Sequence, residues 1–229
     1  MAFVVEEKKV VKGFVSCLMV TKPDRESLAT EAARSFQEQL YGHRFLEVVT
    51  DFCGYTPSFP FFSLSSVEKV SLGELRTFLL NSSDGEYVAQ WDDDDLYHSF
   101  RLSEQIAFLQ SYRADLCFLR RVTLRCICGV EAISHERIGD RKGYWECTMT
   151  ARREKLVGLS YPILSKSEDT VFVERALENG LSVAVLDQPD LYTCRYHGGN
   201  TWDAEHFDQL FRRSSRPDHK PSQCKKAKP

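Results

Sequence analysis

The chain alternates between short apolar runs and helical stripes from its first ordered-looking segment onward. Gly13 to Val20 (GFVSCLMV) is an apolar, β-branched run that predicts a buried strand. Pro23 and Asp24 break it, and Asp24 is placed to cap the helix that follows. In that helix Leu28, Ala32, Phe36 and Leu40 recur every four residues, which is one apolar stripe on an α-helix. Phe45 to Val49 (FLEVV) predicts a second buried strand, so the segment reads as strand–helix–strand, a unit that joins parallel strands.

Residues 52–66 (FCGYTPSFPFFSLSS) hold a glycine, two prolines and five aromatics without periodicity and read as a loop with its own apolar anchors. Val67 to Leu80 reads as a helix, ending at the turn Ser82-Ser83-Asp84-Gly85, and Glu86 to Trp91 as a third strand. Ser99 is placed to cap another helix, with Phe100, Ile106 and Leu109 expected on its inner side. Beyond residue 115 the texture changes. Segments 115–119, 122–130 and 144–150 read as strands with no long helix between them, which implies antiparallel pairing. Glu168 to Asn179 is a helix ending at Gly180, Leu181 to Leu186 a strand, Tyr192 to His197 a further strand, and Asp203 to Phe211 a closing helix. The whole is an α/β fold with a partly parallel sheet.

The 42% apolar and 28% charged content of the 229 residues is that of an ordinary globular domain and excludes a disordered, collagen-like or coiled-coil chain. No apolar run has the length of a membrane span and no leader is recognisable, so a cytoplasmic location is expected. The net charge of −3 is uneven. Arg212 to Pro229 has seven Lys or Arg against one Asp, so the preceding 211 residues carry −9. The tail has almost no apolar residues and is expected to be disordered, either a solvated terminus or a peripheral contact to anionic membrane or nucleic acid. The eight cysteines read as reduced thiols: Cys126 and Cys128 point to opposite faces of a strand, and no partner pair with zinc-ligand spacing follows.

In an open α/β sheet, ligands bind at the C-terminal ends of the parallel strands. The segments at those ends are Thr21-Lys22-Pro23, Thr50-Asp51 and the four carboxylates Asp92–Asp95. Four adjacent carboxylates repel one another unless solvated or neutralised by a cation. An acidic run is often a solvated turn, but here Trp91 precedes it and Leu96-Tyr97 follow, which argues for partial burial. Hard oxygen ligands at such a place suit Mg²⁺ or Mn²⁺ shared with phosphates.

The segment GEYVAQWDDDDLYHSFRLSEQIAFL resembles the central signature of family 2 glycosyltransferases with the GT-A fold: a Gly-Glu-Tyr turn, a strand, an Asp-x-Asp-Asp cluster, then a helix opening near Arg-Leu. SCLMVTKPDRESLATEAARSFQEQLY is similar to that family's first strand and helix, through Ser35, Gln39 and Tyr41. SLGELRTFLLNSSDGEY resembles the lead-in to the acidic strand, and WECTMTARREKLVGLSYP with SEDTVFVERAL resembles the acceptor-side strand and Glu-Asp helix. HGGNTW at 197–202 completes the set, so the resemblance spans residues 13–211.

The resemblance implies a single GT-A domain with a mixed, mostly parallel central sheet flanked by helices. Residues 13–98 would form the nucleotide-binding half and 99–211 the acceptor-side half, between an N-terminal extension (1–12) and the basic tail (212–229). It further implies an inverting transfer of sugar from a nucleotide-sugar donor, UDP being the expected nucleotide, to an acceptor hydroxyl, assisted by Mn²⁺ or Mg²⁺. By the same resemblance Thr21 and Asp51 would lie beside base and ribose, Arg76 near the donor, and Asp92 at the ribose or the cation's water shell. Asp94 would ligate the cation, His197 would supply another ligand, and Asp169 would be the general base. The chain departs from the family in two places. Thr50-Asp51-Phe52-Cys53 stands where paired acids and Gly-Ser are common, which leaves the nucleotide open, and the processive members' Gln-x-x-Arg-Trp motif is absent. A non-processive enzyme is therefore expected, and its acceptor (glycan, lipid carrier, protein or nucleic acid) is not readable.

Two other classes stay open at this point. A nucleotidyltransferase of related fold would want a glycine-rich loop after the first strand, whereas TKPDRES has none. A non-catalytic sugar-nucleotide or partner-binding module would not need Asp92, Asp94 and Asp169 intact. Trp202 reads as a core residue, and Phe59, Phe61 and Phe62 as a hydrophobic plug.

Overall fold

The computed structural model describes residues 10–59, 62–66, 70–127, 129–134 and 143–214. The tail beyond residue 214, Phe61, Cys128 and the first nine residues lie outside it. In chain order the elements are β1 (Val11–Val20), α1 (Glu26–Gln37), β2 (Arg44–Thr50), β3 (Phe62–Ser66), α2 (Leu72–Ser82), β4 (Gly85–Gln90), β5 (Leu96–Tyr97), α3 (Arg101–Ser111) and β6 (Leu116–Leu119). These are followed by β7 (Thr123–Cys126), β8 (Glu131–Ile133), β9 (Trp145–Arg152), α4 (Arg153–Leu156), α5 (Glu168–Glu178), β10 (Val183–Leu186), β11 (Tyr192–Tyr196) and α6 (Ala204–Arg213).

Seven strands form the central sheet in the order β10-β6-β9-β4-β1-β2-β3. β1 pairs in parallel with both β2 and β4, β2 with β3, and β6 with β10, while β9 runs antiparallel between β4 and β6. The parallel strands are apolar on both faces because helices cover both sides of the sheet. Val15, Cys17 and Met19 of β1 pack with Ala29, Ala32 and Phe36 of α1 and with α3, whereas Leu18 points the other way into α2 and α5. A smaller sheet, β5-β11-β7-β8, joins the first core through Tyr97, Tyr192 and Leu124. Among the described residues no helix is long and apolar enough to cross a membrane.

Several expectations are corrected. Residues 62–66 form β3, an edge strand whose ladder with β2 supplies the regularity its own sequence lacks. The helix expected from Val67 has its described start at Leu72, where Ser71 and Glu74 form a reciprocal capping box. Asp24 does not cap α1: it sits in a 3-10 turn, Pro23–Arg25, and the cap position falls to Arg25. The α1 stripe stops short of Leu40, which lies beyond the helix end and is 63% exposed. Phe100 takes the cap position of α3 instead of Ser99 and is exposed. The run 122–130 is one strand and a turn, because Gly129 takes φ +89° and the chain reverses into β8. Among the described residues Cys17, Cys53, Cys117, Cys147 and Cys194 are free thiols, and burial pushes Cys17 and Cys117 up to about 12. Of the expected plug, Phe59 and Phe62 pack with ring centres 4.9 Å apart.

One close approach positions the rest. A Cβ on Gly73 would sit 1.9 Å from the Pro162 carbonyl oxygen. With hydrogen there instead, the first turn of α2 lies against the segment leading to α5, and Gly73 N donates to the Leu164 carbonyl at 2.9 Å. Arg76 on α2 is thereby brought to the start of α5.

Candidate active site

A cleft of ≈ 420 Å³ opens at the C-terminal ends of β1, β2 and β4. The chain leaves β4 through Trp91, whose N–H donates to the Leu18 carbonyl at 3.0 Å, and Asp92–Asp95 then turn across the mouth of the sheet. Thr21, Asp51, Arg76, Asp92, Asp94 and Asp169 all line this cleft. His197 does not line it, but reaches Asp94 from behind, Nε2 to Oδ2 at 3.2 Å.

Each of the four carboxylates is held by at least one partner, and one partner is shared. Asp92 accepts from Arg76 Nη2 at 2.7 Å and from the Gln90 amide at 3.3 Å. Asp93 and Asp94 share Arg25 Nη1, at 2.8 and 3.0 Å. Asp95 accepts from the Tyr192 hydroxyl at 2.5 Å and from Arg195 N at 2.8 Å. Burial pushes Asp95 well above the carboxylate range, with the Asp94 and Asp92 charges adding to the effect. Asp93 is raised to about 6, by burial first and the Asp94 charge second, against the pull of Arg25. Asp94 goes the other way. Burial works against its ionised form, but the His197 hydrogen bond and the Arg25 and Arg195 charges outweigh it and hold Asp94 below its ordinary value.

Arg76 reaches in two directions. Its Nε donates to Glu168 Oε1 at 3.0 Å while Nη2 holds Asp92, so one guanidinium joins the acid corner to the first residue of α5. Its pKa stands well above the ordinary arginine value: burial opposes this, but the Asp92 and Glu168 charges prevail. Ser167 enters α5 with φ 57°, in the left-handed region, and this turn sets Glu168 inward and Asp169 on the cleft wall. Asp169 is half-buried and its Oδ1 accepts from Thr170 N at 2.7 Å.

Among the described residues, two buried polar atoms in the cleft have no hydrogen-bond partner of normal geometry. Thr21 Oγ1 lies near the Asp93 carboxylate and the Tyr55 hydroxyl without a hydrogen bond of normal geometry, and Asp93 Oδ2 is likewise unpaired. Leaving such groups unsatisfied is costly, so a polar partner on this wall would be favourable.

Among the described residues no three His, Cys, Asp or Glu side chains converge to hold a metal ion. The set does fit an ion of the Mg²⁺ or Mn²⁺ kind, which is commonly held by one or two carboxylates with the remaining positions filled by phosphate and water. Asp94, on the cleft wall, offers such a carboxylate. His197 is arranged differently from a ligand: its Nδ1 accepts from Gly199 N at 3.3 Å, so Nε2 carries the proton and donates to Asp94.

Sequence reading passed over Arg25, Tyr192, Arg195 and Glu168. A run of four acids beside an apolar strand demands counter-charges, and that was the available signal, but it does not say which arginines answer it. Trp202 is corrected: it is 43% exposed and lines the cleft, stacked on His206 at 4.7 Å with Lys166 Nζ 5.6 Å from its ring centre.

Solved structures share this architecture. TarS 1-349 from S. aureus in complex with UDP-GlcNAc superimposes with a TM-score of 0.66 at 19% identity, over 92% of this chain and 70% of that one. The same protein in complex with UDP gives 0.65 at 18% identity, over 92% and 69%. The fold is the GT-A fold. The mannosyltransferase PcManGT from Pyrobaculum calidifontis, in complex with GDP-Man and Mn²⁺, also matches, at TM-score 0.60 and 16% identity over 87% of this chain and 62% of that one. No protein-family model and no curated protein sequence matches the chain. In this GT-A sheet the acid corner sits where the general rule for open α/β sheets puts a ligand, off the carboxyl ends of adjacent parallel strands.

Proposed function

We propose that the protein is an inverting glycosyltransferase that moves a sugar from a UDP-sugar to an acceptor hydroxyl, with Asp169 as general base and Mn²⁺ or Mg²⁺ at Asp94. The observation that carries this reading is the placement of Asp92, Asp94 and Asp169 on the walls of one cleft at the ends of β1, β2 and β4. The neighbouring structures in complex with UDP-GlcNAc and with GDP-Man and Mn²⁺ support it.

The bound cation supplies Lewis-acid stabilisation of the charge that grows on the departing diphosphate. The rest falls to this chain's side chains. Thr21 Oγ1 and Asp93 Oδ2 offer unused hydrogen-bonding capacity to base and ribose, with Asp51 half-buried on the same wall. His197 and Asn200 steady Asp94 from behind, and Gln90 and Arg76 steady Asp92. Asp169 takes the acceptor proton as the hydroxyl oxygen attacks the anomeric carbon. The bond from that carbon to the diphosphate oxygen breaks, its electron pair leaves with the nucleotide, and one displacement inverts the centre. A positioned base of this kind contributes about 10²–10⁴-fold.

The test is incubation with UDP-sugars and Mn²⁺. Release of UDP, even by slow hydrolysis, that is lost in chelator and in Asp94→Ala is the expected result. Pyrophosphate released from UTP and a sugar phosphate would assign a nucleotidyltransferase instead, and UDP binding without turnover a binding module.

A further inference from the structure

The oxygen assigned to the cation is already held. Asp94 Oδ2 accepts from Arg25 Nη1 at 3.0 Å, His197 Nε2 at 3.2 Å and Asn200 Nδ2 at 3.4 Å. Arg25 also binds Asp93 at 2.8 Å and, through Nη2, the Gly199 carbonyl at 2.9 Å. This one side chain therefore ties the turn after β1 to the acid corner and to the segment after β11. It lines the cleft and is 16% exposed, so a ligand can reach it.

We infer that Arg25 is a built-in counter-cation that makes divalent-ion binding at Asp94 conditional on the nucleotide diphosphate. The inference rests on the donor-site reading above. Without donor, a doubly charged ion approaching Asp94 Oδ2 meets a guanidinium on the same oxygen and is repelled. A diphosphate removes the conflict twice over. Its oxygens offer the guanidinium a bidentate partner as good as the two carboxylates, and they complete the ion's coordination. Ion and donor then bind with strong positive coupling, which linkage requires to be reciprocal. Letting go of Asp94 also frees the Gly199 contact, so the segment carrying His197 and Asn200 registers the same event.

The experiment is Mn²⁺ titration of the full chain followed by electron paramagnetic resonance, with and without UDP, on the wild type, Arg25→Gln and Arg25→Lys. The wild type is expected to bind Mn²⁺ weakly alone and at least tenfold more tightly with UDP. Arg25→Gln should bind Mn²⁺ alone at least tenfold more tightly than the wild type, with the UDP enhancement correspondingly reduced. Arg25→Lys keeps a charge but cannot bridge both carboxylates and Gly199, and should fall between, about threefold tighter. Should Arg25→Gln fail to fold by circular dichroism, Arg25→Lys decides alone. Unchanged or weaker binding of Mn²⁺ by the folded variants, with the Mn²⁺–UDP complex intact, overturns the role of Arg25. Absence of Mn²⁺ binding in every protein, with or without UDP, removes the donor-site reading itself.

Discussion

The two walls of the cleft are built on different principles. On the side that the proposed function gives to the donor, every carboxylate of Asp92–Asp95 is fixed by an arginine, a tyrosine, a histidine or a backbone amide, at 3.4 Å or less. On the side that the proposed function gives to the acceptor, the cleft is lined by hydroxyl and aromatic side chains, Ser165, Thr201 and Trp202, the last 43% exposed. Four acids cannot stand together in a half-buried corner without fixed counter-charges, so the donor wall must be organised before a substrate arrives. An acceptor that brings a neutral hydroxyl needs only a surface to rest on and one base. On the proposed function, the donor wall would carry the electrostatic strain of the site and the acceptor wall the freedom to choose a substrate.

That contrast can be broken by substitution, from the largest effect downward. Asp169→Asn should lower kcat by about 10²–10⁴-fold while UDP affinity stays within twofold. A collapse of UDP affinity with surviving turnover would move Asp169 to the donor wall. Arg76→Met leaves Asp92 and Glu168 without their shared partner and should cost about 3 kcal/mol in denaturant unfolding, with Arg76→Lys recovering part of it. A loss below about 1 kcal/mol would mean that the acids of this wall tolerate solitude.

Asp93 gives a pH-dependent test. Its raised pKa, about 6 against 3.8 in the unfolded chain, means that the folded state holds the proton more tightly. The associated stability is fully present below about pH 4 and is lost as pH rises through 6. The wild type should accordingly lose roughly 2–3 kcal/mol relative to Asp93→Asn between pH 4 and pH 7. Parallel stability profiles for the two proteins would show that Arg25 already compensates the charge in full. The smallest effect belongs to the acceptor wall. Trp202→Ala should raise the acceptor KM about fivefold, the worth of roughly one kcal/mol of ring stacking, while shifting kcat less than twofold. A change confined to donor KM would assign the indole to the nucleotide instead.

Much of the fold was legible because burial leaves a local trace. The apolar runs of β1, β2 and β4 and the four-residue stripe of α1 each reflect a surface turned toward the core, and each is visible within a dozen residues. β3 left no such trace. It is an edge strand, half-exposed along its length, and owes its conformation to hydrogen bonds with β2. Leu40 misled for the opposite reason: it continues the apolar spacing after the helix carrying that spacing has ended.

The same division runs through the site. Sequence by itself determined that an acidic cluster ends a buried strand, that an acidic pair opens a helix, and that the strand ends carry Thr21 and Asp51. All of these are properties of neighbouring residues. Only the tertiary structure decided which charges answer the cluster. Arg25 meets Gly199 across 174 positions of chain, Tyr192 meets Asp95 across 97, and Arg76 meets Glu168 across 92. A carboxylate's need for a counter-charge is written in its own chemistry, but the partner is chosen by whichever side chain the packing of distant elements brings within about 3 Å.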